Sequence, residues 1–99
     1  MAKSKLKQTL LPHEIRELRG MLHHLKPVVI IGQNGLSSAV VLETDRALTD
    51  HELIKIRLNI EDREVRAKIA TEICEKTKAA LIQTIGHIIA IYRKNPQTE

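Results

Sequence analysis

Aromatic residues are almost absent from this sequence: Tyr92 stands alone, and the chain has no Phe and no Trp. Modules that hold single-stranded nucleic acid by stacking its bases need several exposed rings on one surface. The composition therefore excludes that class of binding module. It also predicts a core built from Leu, Ile, Val and Ala.

Cysteine is equally scarce, since Cys74 is the only one, and an intrachain disulfide is impossible. This suits a reducing compartment, so we expect a cytoplasmic protein. The N-terminal residues carry charge without a following apolar run, which argues against a secretory signal. No apolar run approaches the ~20 residues that a membrane span needs, and no membrane association is expected.

Signals of catalysis are missing as well. The five histidines have no metal-ligand spacing, and the sequence has neither a Walker loop nor a nucleophile elbow. Cys74 is predicted on the inner face of a helix, where a thiol is inert. We therefore expect no enzyme and no cofactor. A small RNA-processing enzyme with His23 or His24 as general base remains the weakest alternative.

The chain has 99 residues and a formal charge of +4, which fits one small basic domain. A basic balance favours an anionic partner such as nucleic acid. We divide the sequence into a basic arm at 1–9 with Lys3, Lys5 and Lys7, a domain at 10–94, and a tail at 95–99. A monomer is expected.

Hydrophobic periodicity predicts a helix over 10–25, since apolar residues recur there at spacings of 3 and 4. The β-branched run at 28–31 is apolar on both faces and predicts a strand inside a sheet. Further elements are a helix from Ser37 or Ser38 to His51, a strand at 53–58, a helix capped by Asp62 with Val65 on its apolar face, and strands at 80–85 and 87–93. The order α-β-α-β-α-β-β predicts an α+β fold with a mixed four-stranded sheet.

A four-residue loop, Gly32-Gln33-Asn34-Gly35, joins the first strand to the second helix. Glycines at both ends permit close approach of another backbone, and Ser37 precedes a helix N-terminus with free N–H groups. Such a loop can hold a phosphate, although an ordinary turn has the same pattern. Similar loops in KH domains often carry a central Lys or Arg, whereas Gln33 and Asn34 are neutral.

Two sets of cations accompany the loop. Arg16, Arg19, His23 and Lys26 recur at spacings of 3 or 4 on the first helix, about 100° from its apolar stripe. On the second strand Lys55 and Arg57 alternate with apolar residues, so they share one face. Arg93 and Lys94 join that face only if the strand order allows. These cations could neutralise RNA phosphates or form an ordinary solvated surface.

Several separated motifs resemble the CRM domain, the RNA-binding module named for chloroplast RNA splicing and ribosome maturation. They are Leu25-Lys26-Pro27-Val28-Val29, Ile31-Gly32-x-x-Gly35-Leu36-Ser37, His51-Glu52-Leu53-Ile54-Lys55-Ile56, Gln83-x-Ile85-Gly86 and Tyr92-Arg93. The resemblance spans residues 10 to about 94, and a single free-standing copy is similar to the bacterial YhbY type.

This resemblance implies a two-layer fold similar to the C-terminal domain of translation initiation factor three. It also implies RNA binding, through the Gly-x-x-Gly loop and adjacent basic surface, on ribosomal RNA of large-subunit (pre-50S) precursors. Family members often have a basic residue after the first glycine, so neutral Gln33 shifts the expected affinity toward the first helix. Recognition of RNA shape is expected, and a module that binds a ribosomal protein or factor is the main alternative.

Overall fold

A four-stranded mixed sheet forms the centre of the protein in the computed structural model, which describes residues 10–95. The strand order is β1-β2-β4-β3, with β1 parallel to β2 and the other neighbours antiparallel. The strands are β1 (Pro27–Ile31), β2 (Leu53–Leu58), β3 (Ala80–Ile85) and β4 (Ile88–Tyr92). The helices are α1 (Pro12–Met21), α2 (Ser38–His51) and α3 (Arg63–Thr77), with a 3₁₀ turn at Leu22–His24. The α+β class and the mixed sheet are confirmed, whereas the basic arm and residues 96–99 lie outside the described residues.

Local sequence signals set the helix boundaries. Pro12 occupies the first position of α1, where its missing N–H removes no hydrogen bond. The hydroxyl of Ser37 accepts from the backbone N–H of Val40 at 3.2 Å and caps α2. The carboxylate of Asp62 accepts from two backbone N–H groups at the start of α3. The predicted starts of both later helices are confirmed.

Helices α2 and α3 cover one face of the sheet with the larger of two hydrophobic clusters. Alternate residues of β2 point into it, and Ile54, Ile56 and Leu58 are all buried. Leu48 of α2 and Ile73 of α3 are fully buried against them. The apolar residues that alternate with charged ones in β2 therefore mark the face of the sheet that α2 and α3 cover.

Helix α1 and the following turn cover part of the opposite face. Leu22, Leu53, Ile82 and Ala90 are buried in this second cluster, which adds partly buried Tyr92. All of these sheet residues lie near the end at which β2 begins, because Leu53 pairs with Tyr92. The other half of this face has no helix over it within residues 10–95.

Three expectations from the sequence were wrong in detail. The α-helix ends at Met21 and tightens into the 3₁₀ turn, since Pro27 restricts the preceding backbone and the chain must enter β1. Strand β1 lies at the sheet edge, not inside it, and its outward residues Val28 and Ile30 are exposed. Val65 is exposed as well, because the buried stripe of α3 begins one turn later.

Candidate nucleic-acid interface

The Gly-x-x-Gly loop is a tight turn that ends β1. The N–H of Gly35 donates to the carbonyl of Gly32 at 3.0 Å, and Gly35 has a φ of +74°. Gln33 and Asn34 occupy the exposed tip without positive φ, so the left-handed residue is Gly35 and not Asn34. Within residues 10–95 the N–H groups of Gln33 and Asn34 donate no hydrogen bond to a backbone carbonyl in this turn.

The start of α2 adds further free N–H groups two residues later. Because Ser37 takes the N–H of Val40, those of Ser38 and Ala39 are left without an intrahelical partner. The first turn of α2 contains no acidic residue, whereas α3 begins with Asp62 and Glu64. No acidic residue of the first turn therefore neutralises the positive end of the α2 dipole, which favours an anion there.

The loop lies at the edge of the sheet where the two parallel strands end. The N–H of Asn59, just after β2, donates to the carbonyl of Ile31 at 2.8 Å, which holds the two exits together. A Cβ built on Gly35 would lie 4.0 Å from Cδ1 of Ile69, so α3 supports the loop from behind. The carboxyl ends of parallel strands are a common ligand position in such sheets.

Helix α1 carries its cations at the opposite end of the sheet. Arg16 is exposed, while Nε of Arg19 donates to the carbonyl of Ile82 in β3 at 3.3 Å. His23 lies in the 3₁₀ turn and Lys26 in the extended connection to β1, and both are exposed. The predicted four-residue helical row therefore holds only for the two arginines, although all four side chains reach solvent.

Lys55 and Arg57 lie between α1 and the loop. Lys55 is aligned with Pro27 and Arg57 with Ile30, which places both on the face that α1 covers only in part. Neither side chain makes an ion pair or hydrogen bond with another residue of 10–95. Arg19, His23 and Lys55 line one cavity, and the glycine loop lies outside that cavity, at the end of the same sheet face beyond Arg57.

Two other arginines have structural contacts instead. Arg93 contacts Asp45 at 2.6 Å and donates to the hydroxyl of Thr49 and the carbonyl of Thr77, so it joins β4 to both covering helices. It therefore does not extend the patch of Lys55 and Arg57. Arg66 donates to the carbonyls of residues 60 and 61 at 2.7 and 2.9 Å.

Sheet register also exposes residues that sequence reasoning did not select. Gln83 lies on the same face as Lys55, because both are aligned with Ala90. Ile85 and Ile88 continue that face beside Arg57. The sequence signal for Gln83 and Ile85 was their place in the Gln83-x-Ile85-Gly86 motif. Their face could not be predicted from alternation along β3, because the pairing of β3 with β4 has a bulge after Leu81.

Two further kinds of feature are absent from residues 10–95. This part of the chain has no group of three or more His, Cys, Asp or Glu side chains placed to hold a metal ion. Its helices are too short or too polar to cross a bilayer.

The fold and the loop define an α+β domain with a tight glycine turn at the end of a parallel strand pair. The chain belongs to the CRS1 / YhbY (CRM) domain family, whose sequence profile matches residues 10–93. The family resemblance and its extent are thereby confirmed.

Relatives and a solved structure agree with this assignment. The chain is 43% identical over 82 residues to Probable RNA-binding protein PA4753 of Pseudomonas aeruginosa, covering 83% of this chain and 79% of that protein. It is 46% identical over 82 residues to a Haemophilus influenzae protein named RNA-binding protein, covering 83% of each. The solution structure of SAV1595 from Staphylococcus aureus superposes with a TM-score of 0.78 at 28% identity, covering 92% of this chain and 95% of that one.

Proposed function

We propose that this protein binds RNA through the glycine loop and the partly open face of its sheet. The observation that carries the proposal is the loop itself: free backbone N–H groups at its tip lie beside a helix N-terminus that has no acidic residue. The names of the two bacterial relatives, Probable RNA-binding protein PA4753 and RNA-binding protein, support the same partner. A phosphate is the anion that such a site accepts.

The bound RNA contacts two regions of the protein in this proposal. The amides of Gln33 and Asn34 and the start of α2 hold one phosphate. Further phosphates are neutralised by Arg16, Arg19, Lys26 and Lys55, and His23 and Arg57 provide additional exposed contacts. The lysines of the basic arm add loose contacts. Backbone contacts of this kind position an RNA and give affinity without reading its sequence.

The proposed target is ribosomal RNA in precursors of the large subunit, where the protein acts as an assembly factor in the cytoplasm without catalysis. This finer part of the proposal rests on the family resemblance. Its test is sedimentation of the protein with large-subunit precursors and with mature subunits. Enrichment on precursors supports the assignment, and equal distribution on both particles would overturn it while leaving RNA binding intact.

The electrostatic part is tested by the salt dependence of RNA binding. If about four phosphates are neutralised, log K should fall with log salt at a slope of roughly −3. We expect the double variant Arg16→Ala/Arg19→Ala to flatten the slope by about two units, because each arginine releases one counterion. Fluorescence anisotropy with labelled ribosomal RNA fragments measures both quantities.

A matched control removes the same charge from the other side of the protein. Arg46 of α2 and Lys68 of α3 are exposed on the helices that cover the opposite face. Arg46→Ala/Lys68→Ala should retain the wild-type slope. Equal flattening in both double variants would show that only net charge matters, and it would refute a binding surface on α1.

A further inference from the structure

The half of the sheet that α1 leaves open carries exposed isoleucines beside polar and basic side chains. We call it the open sheet face and define it by Ile30, Arg57, Ile88, Ile85, Lys55 and Gln83. Ile30 and Ile85 are 59% and 65% exposed, although both belong to strands. Ile85 is aligned with Ile88 on this face, and contiguous exposed aliphatic side chains mark an interaction surface.

Strand register orders these residues in two rows across the sheet. Ile30 is aligned with Arg57, Arg57 with Ile88, and Ile88 with Ile85, so one row crosses all four strands. With neighbouring strands about 4.8 Å apart, the row is about 15 Å long. Arg57 at its centre has no ion-pair or hydrogen-bond partner among residues 10–95. The row is therefore an apolar strip with an unneutralised, planar cation.

The second row consists of Lys55 and Gln83, which are both aligned with Ala90. It leads into a cavity of about 230 Å³ beneath the end of α1. Its walls include apolar Leu22, Ile85, Ile88 and Ala90, and its polar lining comes from Arg19, His23, Lys55 and Gln83. The amide of Gln83 can both donate and accept hydrogen bonds. An apolar cavity with few polar groups on its wall suits a flat ligand whose edge carries donors and acceptors.

Charge limits what can cover this surface. A second copy docked by two-fold symmetry would place Lys55 and Arg57 against the same residues of its partner. The N-terminal arm carries lysines, which are of the same sign. The occupant must therefore combine negative charge with flat apolar groups, as an unpaired nucleic-acid strand does.

The glycine loop is continuous with this face, because Ile30 lies two residues before Gly32 and on the same strand end. The geometry points to the open sheet face as the site for unpaired RNA bases, which pack against its isoleucines without the ring stacking that the composition excludes, with the cavity accepting one base whose edge contacts Gln83. This inference rests on the proposed function and deepens it. The ligand is then an RNA strand with an unpaired segment beside the phosphate on the loop, not a duplex alone.

The test compares two labelled RNA hairpins that share one stem, one blunt and one with a six-nucleotide single-stranded extension. We expect the wild type to bind the extended hairpin more tightly. Ile30→Thr/Ile85→Thr should lower affinity for the extended hairpin about tenfold, because apolar contact area is lost. The blunt hairpin and the salt slope should be unaffected, since every cation remains.

The control is Leu81→Thr, which changes an exposed leucine of β3 on the opposite face. Threonine is β-branched and suits a strand at all three positions, and thermal denaturation verifies that each variant is folded. If Leu81→Thr matched the double isoleucine variant, or if the wild type bound both hairpins equally, the inference would be overturned. RNA binding by the loop would still stand in either case.

The cavity is tested separately with extensions of each of the four bases. A preference of about tenfold for one base, reduced in Gln83→Met, is the expected result. Equal affinity for the four extensions would show that the cavity does not bind a base. If the wild type bound neither hairpin, the proposed function itself would fail. The face would instead be assigned to a protein partner if Ile30→Thr/Ile85→Thr lost binding to an acidic amphipathic peptide but bound RNA as the wild type does.

Discussion

Replacing each of the two loop glycines by alanine should separate the stability of the fold from the affinity for RNA. Gly32 and Gly35 bound the same turn, but their backbones differ. Gly35 has a φ of +74°, whereas Gly32 has no positive φ and nothing within 4 Å of a built Cβ. One substitution therefore strains the folded backbone, and the other only fills space outside it.

The magnitudes follow from these two environments. A left-handed conformation costs an L-residue about 1–2 kcal/mol, and the lower entropy of the unfolded alanine variant offsets about 0.4–1 kcal/mol. Gly35→Ala should then lose about 1 kcal/mol of unfolding free energy, or about 4–8 °C in Tm. Gly32→Ala should gain about 0.4–1 kcal/mol, since it has the entropy benefit without the strain.

The affinity for RNA should be lowered by Gly32→Ala, although this substitution is expected to stabilise the fold. The methyl group of Gly32→Ala occupies the open space in front of the loop, where we place a phosphate. Loss of one hydrogen bond to a charged group costs about 1.5–3 kcal/mol, which is about ten- to a hundredfold in Kd. Thermal denaturation and RNA anisotropy on the same samples measure both effects. A folded Gly32→Ala protein with wild-type affinity would refute the loop contact, and unchanged stability of Gly35→Ala would refute the backbone argument.

Two further predictions concern the fold. Burial, with the nearby Glu52 and Glu14 carboxylates, raises the pKa of Tyr92 above its ordinary 10.0. The folded state then keeps its proton where the unfolded state loses it, so stability should fall as pH rises above about 10. This loss of stability should be absent in Tyr92→Phe. Near-ultraviolet absorbance of the single tyrosine follows its ionisation, and denaturation at each pH gives the unfolding free energy. Arg93→Ala should lose about 2–3 kcal/mol in urea unfolding, since several hydrogen bonds disappear, whereas the exposed Arg46→Ala should lose almost none.

Local signals in the sequence were sufficient for most element boundaries. Ser37 and Asp62 are N-cap residues whose side chains bond the first turn, so the starts of α2 and α3 depend on neighbours within three residues. The alternation in β2 showed which of its faces is buried, because successive side chains point to opposite sides. Short-range geometry of this kind does not need the rest of the chain.

The predictions that were wrong concern features that depend on contacts between distant parts of the chain. The β-branched run of β1 predicted a central strand, but nothing in residues 28–31 records whether a strand will pair on its second side. The end of α1 was also missed, because its last turn must tighten for the chain to enter β1. Arg93 could not be separated from Lys55 and Arg57, since its partner Asp45 is 48 residues away.

The sequence by itself determined the element order, the caps, the glycine loop and the family, because each of these is written in adjacent or regularly spaced residues. Only the tertiary structure decided which cations share a face and where α1 stops covering the sheet. Strand order β1-β2-β4-β3 and the alignment of Ile30, Arg57, Ile88 and Ile85 arise from hydrogen bonds between distant segments. No local pattern specifies that pairing, and the open sheet face therefore appears only when the strands are assembled.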